Sequence, residues 1–165
     1  MRVGYGYDAH AFAEGRRLVL GGIVVPYAKG LAAHSDGDVL IHAVCDALLG
    51  AAGLGDIGRI FPDTDVRYHD IDSRVLLQEV VLLLRGHSLG ISNIDSTIVA
   101  QAPRLAPHIE DMRKLLADDL GMDVSRLNIK AKTTEGMGYI GRSEGIEAHA
   151  VVMLKELQPD TPREG

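Results

Sequence analysis

Residues 1–9 alternate apolar and polar side chains with a period of two, the pattern of a strand covered on one face. Arg17–Val19 and Ile23–Val25 flank Gly21-Gly22 and predict a short hairpin. Val39–Gly53 is rich in leucine and alanine, follows several capping candidates in His34-Ser35-Asp36-Gly37-Asp38, and predicts a helix that stops at glycine. From Gly53 to Asp72 glycine, proline and aspartate dominate, which predicts a long loop with one short helical turn. Ser73–Leu89 predicts a second helix stopped by Gly90, and Ile91–Ala100 a strand. Pro103 is expected to open a third helix, because Leu105, Ile109, Met112, Leu116 and Leu120 recur on one face before Gly121. Leu127–Thr134 and Gly145–Leu157 predict two further strands. This order predicts a layered α/β (α+β) fold, a mixed β-sheet with helices packed on one face. One domain is expected over residues 1–157, with a flexible polar tail at 158–165.

Composition narrows the chemistry. A chain of 165 residues with 46% apolar content can fill one hydrophobic core. No stretch has the length and apolarity of a membrane span, and the N-terminus lacks a signal-peptide pattern, so no membrane partner and a cytoplasmic location are expected. The formal charge of −6, with Lys and Arg appearing singly, argues against a nucleic-acid partner and leaves a phosphorylated substrate in need of metal ions. Cys45 is the only cysteine, lies in an apolar helical run, and reads as a packed, inert thiol.

Asp8 and His10 lie two apart on a predicted strand, so both side chains leave the same face. A solvated strand end would carry the same pair. His42, near the start of the first helix, is a candidate third ligand, and two imidazoles with one carboxylate suit zinc with a fourth position open. Asp46, one turn on, is either a carboxylate orienting a ligand from behind or an exposed one; Asp38 invites the same question. His34 and Ser35 precede a helix N-terminus where an anion could sit, although a helix cap explains them equally. Asp56, Gly58 and Phe61-Pro62-Asp63-Thr64-Asp65 could meet sugar-like hydroxyls, or form turns only. Lys132-Thr133-Thr134-Glu135 combines a cation, two hydroxyls and a carboxylate able to hold a diphosphate with its divalent ion. Neither a P-loop nor a His-Glu-x-x-His helix is present.

Five blocks carry a resemblance: Val3–Phe12 around Asp8 and His10, Gly30–Ala51, Gly55–Asp65, Ala100–Ile109 and Lys130–Ile146. In this order they resemble the 2-C-methyl-D-erythritol 2,4-cyclodiphosphate synthases of the non-mevalonate isoprenoid pathway, over roughly residues 1–156. The resemblance implies a homotrimer around a three-fold axis, with active sites between subunits. Each site would hold one zinc on Asp8, His10 and His42, and magnesium or manganese on Glu135. It implies a CDP-linked methylerythritol 2-phosphate as substrate, closed to a cyclic diphosphate with release of CMP. His34 and Thr133 would be catalytic, and Ser35, Asp56, Gly58, Phe61, Pro62, Asp63, Thr64, Asp65, Tyr139 and Arg142 would bind substrate. Ala100, Gln101, Ala102, Pro103, Arg104, Leu105, Ala106, Lys132 and Thr134 would form the nucleotide side, with Asp38 and Asp46 behind the ligands.

The chain departs from the pattern at Lys132, where many relatives have threonine, at Tyr139, commonly phenylalanine, and at His149, where some carry glutamate. Two rival readings are a zinc phosphoesterase using metal-bound water, and a non-catalytic trimeric protein keeping zinc for structure.

Overall fold

A computed structural model describes residues 1–62 and 64–158. The tail is therefore described only at Gln158, and Asp63 lies outside the described residues. The main sheet has five strands in the order β4-β1-β7-β5-β6. These are β1 (Arg2–Ala13), β4 (Gly30–Leu31), β5 (Leu89–Val99), β6 (Leu127–Lys132) and β7 (Gly145–Glu156). β7 pairs antiparallel with β1 and β5, while β5 and β6 run parallel, so the sheet is mixed as expected. β2 (Leu18–Leu20) and β3 (Ile23–Val25) form the hairpin predicted around Gly21-Gly22.

Cross-strand register decides which face is covered. Gly4, Val152, Ile94 and Leu127 lie side by side in one row and are all buried. The neighbouring row of Tyr5, Val151, Asp95 and Asn128 points the other way, and Tyr5 and Val151 are exposed. The buried face is covered by α1 (Val39–Ala52), which is buried on nearly every side, with α3 (Ser73–Gly86) and α4 (Ile109–Leu120) completing the layer. α1 lies close to the sheet because β1 presents no side chain at the crossing. A Cβ on Gly4 would stand 2.0 Å from the carbonyl oxygen of Ala47, and one on Gly6 2.0 Å from that of Ala43. Cys45 is buried in α1, and burial, with the Asp46 and Asp38 charges, raises its thiol pKa far above the ordinary value.

Boundaries differ from the sequence pattern in several places: β1 runs on past residue 9 to Ala13, β2 is shifted by one residue, and β6 ends at Lys132 rather than Thr134. α3 ends at Gly86 rather than Leu89, and Ser88 takes a left-handed φ of 55° so that Leu89 can enter β5 opposite Glu156. Gly90 is a strand residue. The apolar run is continuous across helix and strand, so periodicity could not divide it. α4 begins at Ile109 and not at Pro103, preceded by a 3-10 turn over Ala106–His108. A helix opened at Pro103 would put the ring of Pro107 against the carbonyl of Pro103, four residues back, whereas at the start of a helix the missing N–H of Pro107 costs nothing. Leu105 is still buried, from the connecting segment. The loop after Gly53 holds two turns instead of one, α2 (Ile57–Ile60) and a 3-10 turn at Val66–Tyr68. Among the described residues no helix is long and apolar enough to cross a membrane.

Candidate metal centre and cavity

Asp8 and His10 stand on the covered face of β1, in the rows of Ala148 and Ile146, near the end of the strand where α1 begins. α1 starts at Asp38, whose Oδ1 accepts the N–H of Ile41, and this cap sets His42 in the first turn, facing the strand. Asp8 Oδ2 lies 2.9 Å from His10 Nε2 and 2.9 Å from His42 Nδ1, and the two ring nitrogens are 3.2 Å apart. Two imidazoles and a carboxylate thus aim ligand atoms at one point, a donor set fitted to a divalent cation. Burial alone would raise the Asp8 pKa, but its bonds to His10 and His42 lower it well below the carboxylate range. Burial alone would lower that of His42, and the hydrogen bond and charge of Asp8 raise it instead.

The centre borders a cavity of about 380 Å³ lined by His10, His34, Ser35, His42, Gly58, Phe61 and Pro62, with Ile57, Tyr68, Ile71 and Leu76 among its apolar walls. Sequence reasoning named the first seven and missed the rest, which lie in loop and helix segments read only for secondary structure. His34 Nε2 is buried without a hydrogen-bond partner among the described residues, the condition of a donor or acceptor kept for a ligand. Backbone bonds from Asp70 N to His34 O (2.8 Å) and from Asp36 N to Ile71 O (3.1 Å) tie the His34–Asp38 segment to the far loop. Arg16 donates to the carbonyls of Ala33 (3.2 Å) and Ser35 (2.5 Å) from behind.

A second cavity, of about 280 Å³, lies where β5 and β6 end, lined by Ala100, Gln101, Pro103, Arg104, Leu105, Ala106, Lys132 and Thr133, with Ala131. Seven of the residues expected on the nucleotide side thus share one depression with Thr133, expected to be catalytic. Ala102 belongs to the same loop but does not line it, and Thr134 instead donates its hydroxyl to the carbonyl of Met137 (2.6 Å). Glu135 takes a left-handed φ of 53° at the loop tip and accepts from the Thr133 hydroxyl at 3.0 Å. Neither Glu135 nor Thr133 lines the cavity beside His42, so one chain holds the two sets of residues apart.

Several expected contacts take another form. Asp46 accepts the N–H of Ile57 at 2.7 Å, which holds α2 and orients no ligand. Asp38 accepts from Gly22 and Ile41 and does not touch the His42 ring. The groups that do are Ser73 and Ser35. Asp56 caps α2 through Arg59 N (2.8 Å), and Asp65 caps the 3-10 turn and pairs with Arg67; neither lines the cavity, nor does exposed Thr64. Tyr139 turns its hydroxyl to Glu147 and Tyr7 on the uncovered sheet face, and the bond to Glu147, foremost, raises its pKa. Arg142 pairs with Glu144 at 2.6 Å. His149, on that same uncovered face, meets the Tyr5 hydroxyl at 2.9 Å through Nδ1.

Asp38 offers a test of the frame. Its pKa is pushed from 3.8 up to about 6, by burial first and by the neighbouring Asp36 charge, against the bond from Gly22. A carboxyl raised in the folded state contributes stability fully below its unfolded pKa, and loses it as pH rises through the folded one. The stability advantage of the wild type over Asp38→Asn is therefore expected to be largest near pH 4 and to shrink toward pH 7. Urea titrations of both proteins across that range check this, and an advantage that grows with pH would contradict the assignment.

Fold and triad together define an α/β protein with a candidate metal site, and the chain belongs to the YgbB family, whose profile matches residues 1–155. It is 61% identical over 157 residues to the 2-C-methyl-D-erythritol 2,4-cyclodiphosphate synthase of Thioalkalivibrio sulfidiphilus, covering 95% of this chain and 98% of that one. The bifunctional IspDF from Campylobacter jejuni superposes with a TM-score of 0.92 at 43% identity; the match covers 95% of this chain and 42% of that longer one. A structure of 2C-methyl-D-erythritol-2,4-cyclodiphosphate synthase in its CDP-bound form matches with a TM-score of 0.86 at 38% identity, over 93% of this chain and all of the other.

Proposed function

We infer that this chain is a phosphorus–oxygen lyase of the non-mevalonate isoprenoid pathway. It closes 4-diphosphocytidyl-2-C-methyl-D-erythritol 2-phosphate to 2-C-methyl-D-erythritol 2,4-cyclodiphosphate and releases CMP. The observation that carries this reading is the convergence of Asp8, His10 and His42 beside His34 and Ser35 on one cavity. A 2-phosphate oxygen forms a bond to the β-phosphorus as the bond from that phosphorus to the bridging oxygen breaks, and CMP leaves with the electron pair. The nucleophile is already an anion, so no protein nucleophile or strong base is required.

Zinc on Asp8, His10 and His42, and magnesium or manganese on Glu135, would supply charge neutralisation on the diphosphate. The protein's own part is positioning. His34 Nε2 and the Ser35 hydroxyl face the diphosphate, while Ile57, Phe61, Pro62, Ile71 and Leu76 keep water from the methylerythritol portion. Lys132, Gln101 and the Ala100–Ala106 loop hold the nucleotide, with the Thr133 hydroxyl at its phosphate end. The two cavities would be joined across neighbouring copies in a homotrimer, working in the cytoplasm. The separation of Glu135 from the triad and the uncovered sheet face bearing Val3, Tyr5 and Val151 support that assembly.

The purified chain with zinc, magnesium and the CDP-linked substrate is expected to yield CMP and the cyclic diphosphate in equal amounts by mass spectrometry. In oxygen-18 water neither product should gain label. A linear phosphate carrying the label would establish the phosphoesterase instead.

A further inference from the structure

The His42 ring has a second side that the triad does not use. Its Nε2 lies 3.0 Å from Ser73 Oγ and 3.1 Å from Ser35 Oγ. Ser73 is fully buried at the start of α3, and its hydroxyl is 2.5 Å from Asp36 Oδ1. The Asp36 carboxylate has only acceptors to offer, and it also receives the N–H groups of Ser73 (3.0 Å) and Asp38 (3.1 Å). A hydroxyl has one proton. Ser73 gives it to Asp36, so only lone pairs remain to face His42, and Nε2 must carry a hydrogen. The hydrogen on Nδ1, which Asp8 accepts at 2.9 Å in the metal-free site, is then the one a cation displaces, and it is the Nδ1 lone pair so released that points between Asp8 and His10.

We infer that Asp36 and Ser73 are positioning residues that hold His42 in the Nε2–H tautomer and thereby make Nδ1 the metal-binding atom. The relay also assigns the Ser35 proton. Ser35 Oγ accepts from Gly37 N at 3.2 Å and faces the Nε2 hydrogen, so its own hydrogen is free for an anion in the cavity. Asp36 comes from the loop before α1 and Ser73 from the helix after the long loop, which explains why neither showed in the ligand pattern. The inference rests on Asp8, His10 and His42 being the metal site.

The test is zinc affinity, measured by competition with a chromophoric chelator, for wild type, Ser73→Ala, Asp36→Asn and His42→Ala. Losing such an outer partner typically weakens metal binding about 10- to 100-fold, and that loss is expected for both relay variants. Turnover at saturating zinc should return to within a few-fold of wild type, and the zinc-free thermal midpoint should move little. Wild-type zinc affinity in Ser73→Ala or Asp36→Asn, with affinity lost in His42→Ala, would overturn the relay alone. Undiminished affinity in His42→Ala would overturn the metal site itself. A relay variant that loses zinc-free stability and keeps zinc affinity when folded would assign the pair a merely structural role.

Discussion

His42→Ala is expected to lose most of its bound zinc and to release CMP at least about a thousandfold more slowly than wild type, which corresponds to several kcal/mol of lost transition-state stabilisation. The substitution removes one of three ligand atoms and leaves Asp8 and His10, two neighbours on one strand, to hold the ion alone. It also strands Ser73 and Ser35, whose hydroxyls meet the ring from behind, in a buried site. Elemental analysis of zinc per chain and a CMP-release assay read the two effects separately. A zinc-free His42→Ala protein with undiminished turnover would end the metal hypothesis.

The second large effect lies away from the chemistry. Gly6→Ala is expected to destabilise the fold by about 3 kcal/mol or more, the upper end for overpacking, because the obstacle is backbone. The new Cβ would meet the Ala43 carbonyl oxygen at 2.0 Å and the Ala47 nitrogen at 2.6 Å, and neither can rotate away. α1 must then lift off β1, and His42 moves with it away from Asp8 and His10. Gly50→Ala is the control. It sits on the exposed side of α1 with its nearest neighbour, the Tyr5 oxygen, 4.0 Å away, and should stabilise by about 0.5–1 kcal/mol through helix propensity. Urea unfolding of both variants separates the cases, and a neutral Gly6→Ala would refute the close crossing.

Elements with a clean period were legible in the amino-acid order. The strand at β1, the hairpin, α1 with its glycine stop and β7 all follow from alternation, capping and glycine placement. What escaped was the join between α3 and β5, where one apolar run serves two structures, and the start of α4, where the ring of Pro107 overrules the apolar stripe. The site divides in the same way. Spacing puts Asp8 and His10 on one strand face and offers His42 as a third candidate, but a solvated strand end would carry the same pair, and the match of five blocks decided between the two readings. The carboxylate behind His42 was sought at Asp38 and Asp46, its neighbours in sequence. Those two hold backbone N–H groups, and the groups that touch the ring, Ser35 and Ser73, are separated by α1 and the whole long loop. Hydrogen-bond polarity across such a gap has no periodic signature, so only the folded chain displays it.

The parting of the two cavities has a genetic meaning. In an assembly where each reaction centre draws His42 from one copy and Glu135 from its neighbour, every chain would serve two centres, and a lesion in one half would disable the centre on that side and spare the other. Two alleles broken in different halves would then restore in a mixed cell some centres that neither makes alone, and the unit on which selection acts becomes the junction between chains, not the chain.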